Sequence, residues 1–228
     1  MSRPKDILST LSMLSELQKV LSRMVETTDI TPGHLFKQIC GIDVSYHMNR
    51  AFCSAVNMNR NSFEIVETKK FEYPVEFPYI PGFFMLREAG PIFTTLKKLE
   101  SYYDVLIING HGILHPRRMG LASFIGLLLD KPTIGVAKRL LCGTEGVDNY
   151  VFFDQNICGK KINRGGHSCV YVSVGHKISL ETSIKIVTEL FREKGRLPEP
   201  LLTADLLTKK SRSQYLSRLR NISPTQKG

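Results

Sequence analysis

The chain predicts an α/β fold with a mixed central sheet, three antiparallel strands followed by parallel ones, flanked by helices. Three strand-like runs follow one another in close order, separated only by short polar turns. Beyond them apolar strand-like runs alternate with helical patterns. The resulting order, βββαβαβ, joins an antiparallel front half to parallel crossovers, which place helices on both faces of a sheet.

The elements follow in order. Ile7, Leu8, Leu11, Leu14, Leu17, Leu21 and Met24 recur at three- and four-residue steps, so residues 5–26 form an amphipathic helix whose role is packing. Pro32 and Gly33 in "TTDITPGHL" break it. The three strand runs are "QICGIDVSY" (38–46), "AFCSAVNM" (51–58) and "SFEIVETKK" (62–70), a meander turned by "HMNR" and "NRN". After the proline-rich "EYPVEFPYIPG" a helix is expected around 92–101. The strand "DVLII", the helix "MGLASFIGLLLD", the turn "KP" and the strand "TIGVAK" come next. "CVYVSVGH" is a further strand. "SLETSIKIVTELFREKG" is a helix, with Ser179 as N-cap and Glu181 in the first turn, where a negative charge suits the helix dipole.

With 228 residues, 42% of them hydrophobic, the chain suits one well-buried globular body, and no repeat or low-complexity block divides it. Its formal charge of +10 points to a polyanionic partner, but residues 206–228 hold six Lys or Arg and no acid, so residues 1–205 carry only +4. The five cysteines, at 40, 53, 142, 158 and 169, form no CxxC pair and no zinc-ligand spacing, and read as reduced thiols of an intracellular protein. No run is apolar enough to span a membrane and the N-terminus lacks the pattern of a secretion signal. A soluble, cytoplasmic monomer with no membrane partner is expected.

Candidate chemistry gathers at strand ends. On the first strand Ile42, Val44 and Tyr46 occupy one face, and Gly41, Asp43 and Ser45 the other. A carboxylate such as Asp43 on a central strand needs a cation, a donor or a salt bridge. "PYIPGFFMLREAGP" (78–91) has the composition of a rigid aromatic ledge able to stack or wedge bases, or of a hydrophobic plug under a helix. Within it Glu88 is a carboxylate in an apolar setting. "NGHGILHPRR" offers glycine backbone together with His111, His115, Arg117 and Arg118, as a phosphate-binding loop requires, although a generic surface loop would read similarly. Lys138 and His176 also lie at strand exits, where open α/β sheets bind ligands.

Five ordered blocks, "GIDVSY", "PYIPGFFMLREAGP", "NGHGILHPRRMGLASFIGLLLDKPTIGVAKRLLCG", "YVSVGHKISLETS" and "RLPEPLLTADLL", resemble the endonuclease V family over roughly residues 7–207. The resemblance implies a ribonuclease H-like fold in a single domain, residues 1–207, with 208–228 as a basic tail. It implies a metal-dependent endonuclease of DNA repair that cuts at the second phosphodiester 3′ to deoxyinosine or inosine with magnesium, manganese being a substitute. DNA containing inosine would be the partner, with inosine-containing RNA as the second candidate. Carried over by motif, Asp43 and Glu88 become metal ligands with the residue at 109, His176 stands near the attacking water and Lys138 lies against the phosphate. Pro78, Tyr79, Ile80 and Pro81 resemble the strand-separating wedge. Gly82, Phe84, Gly110 and Leu121 fall where the family encloses the flipped base, with His115 and Arg117 in the same loop toward nucleic acid.

The family pattern has Asp where this chain has Asn109. An amide oxygen can still ligate a hard cation but brings no charge. At an effective dielectric near 20, a unit-charge pair at about 4 Å is worth about 4 kcal/mol, so weakened metal binding and impaired cleavage are expected. An engineered Asp-to-Asn change, a natural homologue that binds without cutting, and a site that tolerates the amide are three open explanations. Phe124 replaces a histidine common in the family, and residues 144–167 are less family-like.

Overall fold

A computed structural model describes residues 4–75, 77–165, 168–193 and 195–222. Helix α1 (Pro4–Ser22) precedes the meander β1 (Gln38–His47), β2 (Arg50–Asn59) and β3 (Ile65–Pro74). Helix α2 (Phe84–Leu96), strand β4 (Val105–Asn109), helix α3 (Leu121–Leu129) and strand β5 (Thr133–Ala137) form the crossovers. Strands β6 (Thr144–Glu145), β7 (Tyr150–Phe153), β8 (Asn156–Asn163) and β9 (Cys169–His176) follow, then helices α4 (Leu180–Glu189) and α5 (Glu199–Ile222). Among the described residues the strands join one sheet in the order β3-β2-β1-β4-β5-β9-β8-β7-β6. The β1–β4 and β4–β5 pairs are parallel, and β9 lies antiparallel to β5.

Strand alternation divides the core between the two faces. Ile39, Val105 and Ile107 pack with Ile186 and Val187 of α4 and Leu201 of α5. Cys40, Ile42, Leu106 and Ile108 pack with Ile92 and Leu96 of α2 and Ile125 of α3. One close approach matters for the site. A Cβ on Gly41 would lie 2.3 Å from the Pro200 carbonyl carbon and 2.5 Å from the Leu201 nitrogen, so only glycine lets α5 settle this tightly on β1.

Three expectations change. The helix expected at 92–101 starts at Phe84 and ends at Leu96, with Pro91 inside it. Met85, Glu88, Ile92, Thr95 and Leu96 are buried at helical spacing, and that packed stripe outweighs the proline signal. Residues 144–163, left unassigned from sequence, extend the sheet. Their β7–β8 hairpin turns at Asp154 and Gln155, both at positive φ, a geometry usually announced by Asn-Gly. Helix α5 starts at Glu199 within "PEPLLTADLL" and runs straight into the segment expected as a tail, reaching Ile222. The Ser179 cap forms as expected, its hydroxyl accepting from the Thr182 amide at 3.0 Å. All five cysteines are free thiols, and among the described residues no helix is long and apolar enough to cross a membrane.

Candidate active site

Asp43 sits on β1 and Asn109 ends the parallel neighbour β4. Both are odd-numbered positions on the face that α5 covers, and the Asn109 amide donates to Asp43 Oδ1 at 2.6 Å. The Thr208 hydroxyl of α5 lies 3.4 Å from Asp43 Oδ2. Burial pushes the Asp43 carboxyl above the usual range, the Asn109 hydrogen bond pulls it back, and the negative charge of Asp205 pushes it up again. Glu88 on α2 is 4% exposed, and Tyr46 of β1 donates to it at 3.0 Å. Burial drives the Glu88 carboxyl well upward, and repulsion from Asp43 adds to that. Asp43 and Glu88 are therefore electrostatic neighbours, two buried acids short of positive charge.

Asp205 is the member that sequence reasoning missed. It lies one helical turn beyond Leu201, whose backbone rests on Gly41, so the tight approach of α5 carries Asp205 toward Asp43, two residues along β1. Lys138, just past β5, lies 3.7 Å from Asp205, and Lys209 pairs with the same carboxylate at 2.5 Å. The "TADLL" motif contained this residue, but nothing in the sequence distinguished its face of α5 from the others. Beyond it opens a cleft of about 770 Å³ whose walls include Lys138, Arg164, Arg196 and Lys209.

A second cavity, of about 210 Å³, lies between Tyr79, Gly82 and Phe84 on one side and Gly110, His115 and Leu121 on the other. Gly110 directly follows Asn109, so the two sites share one loop. Gly82 has φ +80°, which suits glycine. Tyr79 is 64% exposed at the rim and meets Phe84 edge-on at 5.9 Å. The Arg87 guanidinium on α2 holds the Pro78–Pro81 loop by donating to the Phe77 carbonyl at 2.8 Å, and Ile80 accepts from the Phe83 amide at 3.0 Å.

Two site residues are not where sequence placed them. His176 ends β9, which runs antiparallel to β5, so it pairs with Thr133, whereas Asn109 pairs with Val136 at the other end of the same strand. A strand exit in an antiparallel neighbour is the opposite edge of the sheet. His176 is 1% exposed and accepts from the Glu26 amide, away from the carboxylates. Arg117, expected to face nucleic acid, turns inward. Its Nε donates to Gln18 and its Nη2 to the Gly82 carbonyl, both at 2.6 Å, and its guanidinium stacks 4.6 Å from the Phe83 ring centre.

Among the described residues no three His, Cys, Asp or Glu side chains cluster to hold a metal ion. Asp43, Glu88 and the Asn109 side-chain carbonyl are nonetheless an all-oxygen donor set, and burial outweighs the help that Asn109 and Lys138 give Asp43 and that Tyr46 and Arg87 give Glu88. Such a set fits a hard divalent cation, with one negative charge fewer than three carboxylates would bring.

A model of the Endonuclease V family matches residues 19–206. Endonuclease V of Pyrococcus abyssi is 41% identical over 199 residues, spanning 87% of this chain and 91% of its own length. That of Thermofilum pendens is 40% identical over 195 residues, 83% of each. Among solved structures, Endonuclease V of Bacillus subtilis superposes with a TM-score of 0.83 at 26% identity, covering 96% of this chain and 95% of that one. An Asp-to-Asn variant of Ciona intestinalis Endonuclease V, in complex with a 23mer DNA containing an inosine followed by a ribo-adenosine, has a TM-score of 0.82 at 25% identity, covering 91% and 98%.

Proposed function

Because this chain belongs to the endonuclease V family, we propose that it binds deoxyinosine or inosine in nucleic acid and hydrolyses the second phosphodiester 3′ to that base, with turnover weakened by Asn109. The observation that carries this reading is the shared loop: Asn109 contacts the buried Asp43, and Gly110 lines the adjoining cavity. A base leaving its stack would enter that cavity, with Tyr79 filling the gap behind it. Extrusion is cheapest for a weakly paired base, which suits inosine. The cations of the neighbouring cleft, Lys138, Arg164, Arg196 and Lys209, would track the strand's phosphates.

A divalent cation, magnesium with manganese as substitute, would be held by Asp43, Glu88 and Asn109 and would supply Lewis acidity at the phosphate. Lys138 would offset phosphate charge, and Asp205 holds its ammonium in place. The Thr208 hydroxyl of α5, which donates to the Asp205 carbonyl at 2.9 Å, lies beside the Asp43 carboxylate at 3.4 Å. His176 has no part in this chemistry.

A second reading, inosine binding without turnover, is favoured by one contact: the Asn109 amide already satisfies Asp43 without a cation. End-labelled DNA and RNA strands bearing one inosine, incubated with magnesium and either the native protein or N109D, separate the two. The native protein is expected to bind both and nick slowly, and N109D to nick faster by on the order of a hundredfold, somewhat less than the full Coulomb difference allows. If N109D binds inosine yet leaves the strand intact, the assignment of hydrolysis is wrong.

A further inference from the structure

The N-terminal helix reaches the base cavity through one buried amide. Gln18 of α1 is 1% exposed. Its Nε2 lies 3.2 Å from the Gly82 carbonyl oxygen, 3.1 Å from the Met119 carbonyl oxygen and 3.2 Å from Met85 Sδ. Its Oε1 accepts from Arg117 Nε at 2.6 Å, and Arg117 Nη2 returns to the same Gly82 oxygen at 2.6 Å. The guanidinium also fills the space a Gly82 side chain would need, since a Cβ there would lie 2.6 Å from Nη2.

These contacts tie together two segments that are otherwise far apart in the chain. Gly82 and Met85 belong to one wall of the cavity, and Met119, with Gly120 and Leu121 after it, to the other. Gln18 does not line the cavity; it stands behind both walls and bonds to each. A surface helix needs no such residue for packing alone, because an apolar side chain would fill the same space without a buried amide to satisfy.

We propose that Gln18 and Arg117 form a clamp that sets the spacing of the cavity walls, and that this spacing determines which base is accepted. Both are positioning residues, and the proposal rests on the reading that the cavity receives an extruded base. Hypoxanthine and adenine have nearly the same outline and differ on one edge, where an acceptor oxygen at C6 and a donor N1–H in hypoxanthine replace a donor amino group and an acceptor N1 in adenine. Discrimination between them requires backbone donors and acceptors held at fixed separation, because hydrogen bonds weaken steeply once length and angle drift. Releasing the clamp lets the Gly82 and Met119 backbones relax, so the correct base loses its advantage.

The test is fluorescence anisotropy in metal-free buffer with three otherwise identical single strands carrying deoxyinosine, deoxyadenosine or an abasic site. It compares the native protein with Q18L, which keeps the volume and removes the polar contacts, and with R117K, which keeps the charge and removes the fork. Both variants are expected to lose about tenfold of the inosine-over-adenosine preference, the size of one well-formed buried hydrogen bond, with the loss falling on the inosine strand rather than the abasic one. Q18E, which keeps the acceptor for Arg117 but not the donor to the two carbonyl oxygens, is expected to behave as Q18L does. Circular dichroism melting checks folding, and R117K carries the same expectation should Q18L fail to fold. If all three strands weaken equally, or the preference is unchanged, the clamp is structural only and the proposal falls. If the native protein itself shows no inosine preference, the reading of the cavity falls first and takes the clamp's role with it.

Discussion

At position 109 the choice between an amide and a carboxylate decides how the centre is neutralised. The Asn109 amide presents the positive end of its dipole to Asp43 at 2.6 Å, doing in part what a cation would do. A carboxylate there would bring a second negative charge into contact with a buried acid, a repulsion of a few kcal/mol unless a metal intervenes. N109D is therefore expected to be less stable than the native protein in chelator by about 1 to 3 kcal/mol, and to gain more in melting temperature on adding magnesium or manganese. Thermal unfolding with and without metal measures both. Equal metal shifts in the two proteins would mean that position 109 does not bear on the ion. The same scale explains which residues sequence could reveal. Asp43 in an apolar strand, Glu88 in an apolar helix and Lys138 at a strand end are charges that need a reason. Gln18 sits among other polar residues on its helix, and Asp205, although it is the one charge in the run Leu201–Leu207, lies on a helix whose inward face only docking on β1 reveals.

At the scale of elements, the site is assembled by how closely α5 lies on β1. Gly41→Ala would put a methyl group 2.3 Å from the Pro200 carbonyl carbon, against backbone that cannot rotate aside. Helix α5 must then lift, which overpacking of this kind costs at about 1 to 3 kcal/mol. Asp205 and Thr208 would withdraw from Asp43 with it. G41A is expected to lower the unfolding free energy from urea melts by that amount and to weaken binding of an inosine strand, although Gly41 lines neither cavity. An unfolding free energy unchanged within about 0.5 kcal/mol, the range of a neutral surface change, would show that α5 does not need the glycine. β1, β2 and β9 were legible from sequence nearly to their ends and α4 at its capped start, because alternation and a capping serine are local signals, whereas α4 stops at Glu189, short of the Gly195 expected. The start of α2 was not, since a proline inside a helix reads as a break until the buried stripe beneath it is seen. Nor were β6 to β8, whose pairing partners and turn conformations are set by contacts across the sheet edge. His176 was misplaced for a related reason: a strand exit was identified correctly, but the direction of the strand is a property of the pairing, not of the residues.

Across the whole molecule, buried histidines couple stability to pH. His115 is 5% exposed at the cavity beside Gly110, and burial, then the charges of Arg117 and His111, push its pKa from the ordinary 6.5 down to about 4. His176 is also driven down, chiefly by burial. Its Nε2 is 3.7 Å from Asp130, too far for a hydrogen bond, and Lys177 already pairs with that acid. In the folded protein both rings stay neutral where the unfolded chain takes up protons, so stability is full above pH 6.5 and falls as pH drops toward 4. Asp43 and Glu88 act in the opposite sense, because their raised values mean that the folded state welcomes a proton sooner than the unfolded one. The native profile is thus a difference between two trends, and a variant is needed to isolate one of them. His115→Gln removes a titrating ring and leaves the acids in place. Urea melts at pH 7 and pH 4.5 should show that the drop in stability on acidification is smaller in H115Q than in the native protein by on the order of 2 to 3 kcal/mol. The same drop in both would mean that His115 is solvated in the folded state and that the cavity wall is open there.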